Sequence, residues 1–168
     1  MDSGLFGVVG TQPDQPEPGS DLRELLIDWL GFQRQTFARK LRDLDVAGVA
    51  LEAIPPVQLS ILGLIRHMTQ MEHWYFTHGL GGGEPHMAYG EEDYAGGSVN
   101  TLEADLGAYR AEIVRADRAI AALHDLESPG LGFGWSLAST LIKMVQEYAV
   151  HNGQGHMLRY AVLGEILR

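Results

Sequence analysis

Apolar residues recur at helical spacing in four separate stretches of the chain. Leu22, Leu25, Leu26, Trp29, Leu30, Phe32 and Phe37 form one stripe, and Ile61, Leu62, Leu64, Ile65, Met68, Met71 and Tyr75 form a second. Leu102, Leu106, Tyr109, Ile113, Ala116, Ile120 and Leu123 alternate in steps of four and three, the heptad rhythm of near-parallel helix packing. Leu137, Leu141, Met144, Tyr148 and His151 continue that rhythm in a fourth stretch that runs toward Leu163. A stripe of this kind buries one face of a helix and leaves the other to water. No period-two alternation competes with it, so the pattern predicts an all-α four-helix bundle.

Punctuation agrees with this division. Ser20 or Asp21 opens the first helix, with Glu24 three residues after Asp21 as in a capping box. Arg39, Lys40 and Arg42 gather at its far end, where cations oppose the negative end of the helix dipole. Pro55-Pro56 blocks any helix through that point, and Ser60 caps the second helix. Asn100 is the expected cap of the third helix, with Glu103 as its capping-box partner; Ser128-Pro129-Gly130 follows that helix, and Ser136 opens the fourth. His124 closes the third helix, where a cation suits the dipole. Residues 79–98 hold seven glycines and no periodicity, which predicts a long loop, either a functional lid or a solvated connection. It carries the acidic patch Glu91-Glu92-Asp93 and one histidine, His86. Three prolines between Pro13 and Pro18 make residues 1–19 an extended arm, either a frayed terminus or one anchored by Leu5, Phe6, Val8 and Val9. Residues 20–168 then form the bundle domain.

Composition narrows the class. The chain of 168 residues suits one core, and 45% apolar residues suffice to build it. A net charge of −10 repels phosphate backbones, so no nucleic-acid partner is expected. No apolar run reaches membrane-spanning length, and the first residues lack the basic and apolar regions of a signal peptide; a cytoplasmic location is the expectation. Asp2 excludes N-myristoylation. The absence of cysteine removes disulfides, thiolate ligands and a cysteine nucleophile together.

The candidate chemistry lies in Glu147-Tyr148-Ala149-Val150-His151. Four helical residues turn through about 400°, so Glu147 and His151 stand one above the other. His151 falls on the apolar seam, where a polar group is costly unless it is paired or ligates a metal. His67 lies beside Leu64, Met68 and Met71 on the second helix and points at or near the same core. Two imidazoles and a carboxylate are the ligand set of several zinc hydrolases, with a fourth position left open. The alternative is a buried Glu–His hydrogen bond without metal. Gln154, three residues after His151, is placed to be a partner of the site rather than a ligand. His156 is rotated away, and His73 and His78 read as exposed or terminal. Gly153 and Gly155 suggest close approach of another backbone or of a ligand. No Gly-x-Ser-x-Gly elbow and no phosphate-binding Gly-Lys-Ser/Thr loop is present.

Ser60 to Met68 and Glu147 to Gln154, followed by Leu158-Arg159, resemble the second and last helices of the DUF664 family within the DinB/YfiT-like metalloenzymes. The resemblance covers about residues 21 to 164, and the superfamily includes mycothiol-dependent maleylpyruvate isomerase. It implies a four-helix bundle holding a divalent metal, zinc or nickel, on His67, Glu147 and His151. It also implies thiol-dependent S-transferase or isomerase chemistry on a small electrophile, with a low-molecular-weight thiol as cosubstrate, and a homodimer. The family often carries a histidine three residues after the last ligand, where this chain has Gln154, and an aspartate where it has His156. No general acid or base is assigned. A non-catalytic small-molecule-binding or stress-related helical bundle is the alternative function.

Overall fold

The computed structural model describes residues 13–19 and 21–164, so Ser20 and the apolar arm residues Leu5, Phe6, Val8 and Val9 lie outside the described residues. Five α-helices appear among them: α1 (Leu22–Ala38), the short α2 (Val46–Ala50), α3 (Ile61–Glu72), α4 (Leu102–Ala121) and α5 (Leu137–Leu163). The four long ones pack into an all-α bundle, and no strand occurs among the described residues. No helix among the described residues is long and apolar enough to cross a membrane.

Three starts follow the expected capping chemistry. The Asp21 carboxylate accepts from the amides of Arg23 and Glu24, Ser60 Oγ from Gly63, and Ser136 Oγ from Ser139. The start of α4 differs. Thr101, not Asn100, is the residue before its first turn, and its hydroxyl is spent on the backbone of Ser98 instead of the helix amides. A turn from Ser98 to Thr101 closes first, so the Asn100–Glu103 capping box does not form.

Two helix ends also depart from expectation. The end of α1 tightens into a 3₁₀ turn, Arg39–Leu41, and Lys40 is folded inward at 2% exposure. Its Nζ meets Nε2 of His156 at 3.0 Å, and burial beside Arg39 and Arg159 lowers the ammonium pKa to about 8. Arg159, reaching across from α5, donates to the carbonyls of Lys40 and Arg42. Gly155 makes room for this: a Cβ there would stand 3.0 Å from Lys40 Cγ, whereas Gly153 faces open space. At the end of α4, Arg23 donates to the carbonyls of Ile120 and Leu123 at 3.2 and 2.9 Å, and His124 lies exposed beyond them. In both places a cation from another helix satisfies the terminal carbonyls.

The predicted stripes supply the core. Leu30, Phe37, Leu64, Met68, Leu106, Tyr109, Leu141 and Met144 are all buried, while Leu22 at the tip of α1 is 59% exposed. The second helix does not stop at the glycines. It passes into a π-helix, His73–Leu80, before the chain turns at Gly81. The loop beyond is laid along α3. Arg66 donates to the Ala95 carbonyl and sits 4.4 Å from the centre of the Tyr89 ring. Gln70 donates to Gly90 O at 3.1 Å and accepts from Tyr89 N at 2.9 Å. His73, half-buried rather than exposed, bonds Glu84 O and the Glu112 carboxylate. Gly63 permits the close approach, since a Cβ there would stand 2.2 Å from the Tyr94 carbonyl oxygen.

Glu72 and Arg159 are both fully buried charged residues among the described ones, and Glu72 ties three helices together. Glu72, at 0% exposure, accepts two hydrogen bonds from Arg34, at 2.8 and 2.6 Å, and one from Tyr148. Tyr148 in turn meets the Tyr109 hydroxyl at 2.8 Å. Burial lowers the Arg34 pKa, but the Glu72 charge and bond outweigh it and hold the guanidinium above its ordinary value. Replacing Glu72 with Ala leaves that cation without its main partner. Urea unfolding should show a loss of about 3–5 kcal/mol. Asp117→Ala, at the exposed end of the same arginine, should cost no more than about 1 kcal/mol. Equal losses would contradict this assignment.

Candidate metal centre

The α3 helix runs antiparallel to α5 across the core. His67 stands against His151, Glu72 bonds Tyr148, and Tyr75 lies beside Lys143, so rising numbers on α3 meet falling numbers on α5. Because Glu147 and His151 are one turn apart on α5, this register brings His67 to both. One ligand atom from each of the three residues lies within 4.8 Å of the others. Nε2 of His151 is 3.4 Å from Oε2 of Glu147. Ligand atoms at the corners of a tetrahedron with bonds of about 2.0–2.2 Å stand roughly 3.3–3.6 Å apart, so that pair is already at ligand spacing.

Both imidazoles are held in one orientation. Nδ1 of His67 donates to Oδ2 of Asp93 at 2.7 Å, and the same oxygen accepts from Gln70 Nε2 at 2.8 Å. Nδ1 of His151 donates to Oε1 of Gln154 at 2.7 Å. With an oxygen acceptor on each Nδ1, the proton of the neutral ring is placed there, and each Nε2 keeps its lone pair. Tyr94 stacks on His67 with ring centres 4.3 Å apart and planes 17° apart, which fixes the ring plane as well.

Electrostatics favours the state that can bind a cation. Burial lowers the His67 pKa below its ordinary value and outweighs the opposing bond to Asp93, so the ring is neutral at neutral pH. Burial pushes the Glu147 carboxyl up, but the bond and charge of Lys143, with His151 and His67, bring it below the usual carboxylate value. Oε1 of Glu147 is engaged by Lys143, while Oε2 faces His151. Burial, with the charges of Asp93 and Glu147, pushes Tyr94 up to about 12, so its phenol stays protonated at neutral pH. Two imidazole nitrogens and one carboxylate oxygen are donors suited to a borderline divalent ion such as zinc.

Asp93 and Gln70 carry no periodic signal. Asp93 ends the acidic run Glu91-Glu92-Asp93 of the loop, and it is buried beside α3. The other histidines stay outside the cluster. His156 turns to Lys40, and His86 stands 6.1 Å from the His73 ring on another side of α3.

A family model described as mycothiol-S-transferase, a DinB/YfiT-like family, matches residues 25–164 of the chain. No curated protein and no solved structure matches it.

The hydrogen bonds to the ring nitrogens give a direct test. His151→Ala should abolish stoichiometric zinc binding, and Asp93→Ala should weaken it about 10–100-fold, each with helical content retained. Competition against a chromophoric chelator measures both, and an Asp93→Ala affinity equal to wild type would contradict the orienting role.

Proposed function

The chain belongs to the mycothiol-S-transferase family, and from that membership together with the site we propose a divalent-metal-dependent transfer of a small thiol to an electrophile. His67, Glu147 and His151 hold the ion, zinc or nickel, and Gln154 and Asp93 orient the two imidazoles. The observation that carries this reading is the convergence of one ligand atom each from His67, Glu147 and His151 within 4.8 Å, with both Nδ1 atoms hydrogen-bonded to oxygen acceptors.

A bound divalent ion supplies Lewis acidity that lowers the pKa of a thiol or water. The chain has no cysteine, so the sulfur comes from a cosubstrate, a low-molecular-weight thiol such as mycothiol. In the transfer a carbon–sulfur bond forms, the bond from that carbon to its leaving group breaks, and the thiol proton ends on the leaving group or in solvent. Lys143 keeps Glu147 ionised and adds positive charge beside the developing thiolate. Tyr94, protonated and stacked on His67, covers one face of that ring.

We read the protein as a cytoplasmic homodimer. The outward face of α5 supports the dimer: Ile142, Gln146, Ala149, Val150, Gly153, Met157 and Tyr160 are exposed, and none carries charge in a chain of net charge −10.

Turnover of a chromogenic electrophile with mycothiol tests the proposal. Activity should disappear on exhaustive chelation and return with stoichiometric zinc or nickel. Activity that survives complete metal removal would contradict it. Metal binding without turnover of any thiol–electrophile pair would favour the non-catalytic binding module.

A further inference from the structure

Beside the candidate centre, Met71, Trp74, Tyr75 and Met87 enclose an apolar depression of about 380 Å³. Met71 stands one turn beyond His67 on α3, and Trp74 and Tyr75 lie in the π-helix that follows. An insertion of this kind re-aims the side chains after it and recurs at functional sites.

The walls are braced from behind. Phe133 stacks on Trp74 with centres 6.1 Å apart and meets Tyr75 edge-on at 6.1 Å, and Trp135 lies 5.7 Å from Tyr75. Gly79 lets Phe133 in: a Cβ there would stand 2.4 Å from its Cζ. The rings are therefore fixed rather than adaptable. Water nevertheless reaches this apolar cluster, with Met87 45% and Trp135 43% exposed.

Charge appears at one rim. Nζ of Lys143 is 5.8 Å from the centre of the Tyr75 ring and also engages Glu147. The lysine thus joins the depression to the candidate centre. Fixed indole and phenol rings flanked by two thioethers suit a flat, conjugated group, because stacking and sulfur–ring contacts both reward planarity. An ammonium at the rim suits an anionic substituent on that group.

We propose that this pocket binds the electrophile, and that the electrophile is a planar, apolar, conjugated molecule with an anionic substituent facing Lys143. The proposal rests on the metal-dependent transfer above for the word electrophile, but the binding itself needs neither metal nor thiol.

Calorimetric titration of the metal-free full-length protein with naphthalene-2-sulfonate tests it. One molecule should bind per chain, at least tenfold tighter than the puckered cyclohexanesulfonate. Met87→Asp, at an exposed loop position that spares the fold, should weaken naphthalene-2-sulfonate at least tenfold, and Tyr75→Ala should do the same. Lys143→Gln should weaken it several-fold while leaving uncharged 2-naphthol unchanged. Flat and puckered rings binding alike, or Met87→Asp binding as well as wild type, would overturn the pocket. Lys143→Gln with undiminished sulfonate affinity would overturn the anionic substituent. Zinc titration of the same proteins separates the two readings: ring binding without zinc binding overturns the metal centre alone, and zinc binding without ring binding overturns this pocket alone.

Discussion

The hydrogen bond from Tyr148 to Glu72 sets the register of α3 against α5, and most of the site depends on that register. A carboxylate at full burial is tolerable only with several partners, and Arg34 from α1 and Tyr148 from α5 supply them. Sliding α3 by one turn would strand that carboxylate in the apolar core. Held in place, it fixes His67, five residues earlier, opposite His151, three residues after Tyr148. The apolar stripes make the bundle form, and the buried ionic cluster selects one alignment among those the stripes would accept.

The loop after the π-helix completes what the helices begin. Arg66 and Gln70 on α3 and His73 at the start of the π-helix bond its backbone, and Gly63 lets it lie close enough for Asp93 and Tyr94 to reach His67. The ring is thereby held at its Nδ1 and on one face. His151 is held at Nδ1 by Gln154 from its own helix. The two imidazoles are thus preorganised by different means, one by tertiary docking and one by local helical spacing.

That difference explains what the sequence discloses. Glu147, His151 and Gln154 share one helix, where separations of three and four residues determine who meets whom, so their association is readable before any fold is known. His67 could be placed on an inward face because Leu64, Met68 and Met71 define that face. Asp93 could not, since it lies in a glycine-rich stretch without period and reaches His67 only through docking. Glu72 was legible in principle: it follows Met68 by four residues on the apolar stripe, and a carboxylate there calls for a buried partner. The extension of the helix to Leu80 was hidden by Gly79 and Gly81, which read as breakers although Gly79 serves to admit Phe133. Lys40 reads only as one of the cations at the end of the first helix, because nothing local shows that Gly155, more than a hundred residues away, leaves a slot for it.

X-ray absorption at the zinc edge tests the central claim, the convergence of His67, Glu147 and His151 on one ion, most directly. The zinc-loaded protein should show two imidazole nitrogens at about 2.0–2.1 Å and a carboxylate oxygen at about 2.0–2.2 Å, with one imidazole contribution lost in His67→Ala. A shell of oxygen atoms alone, or a spectrum unchanged by His67→Ala, would contradict it.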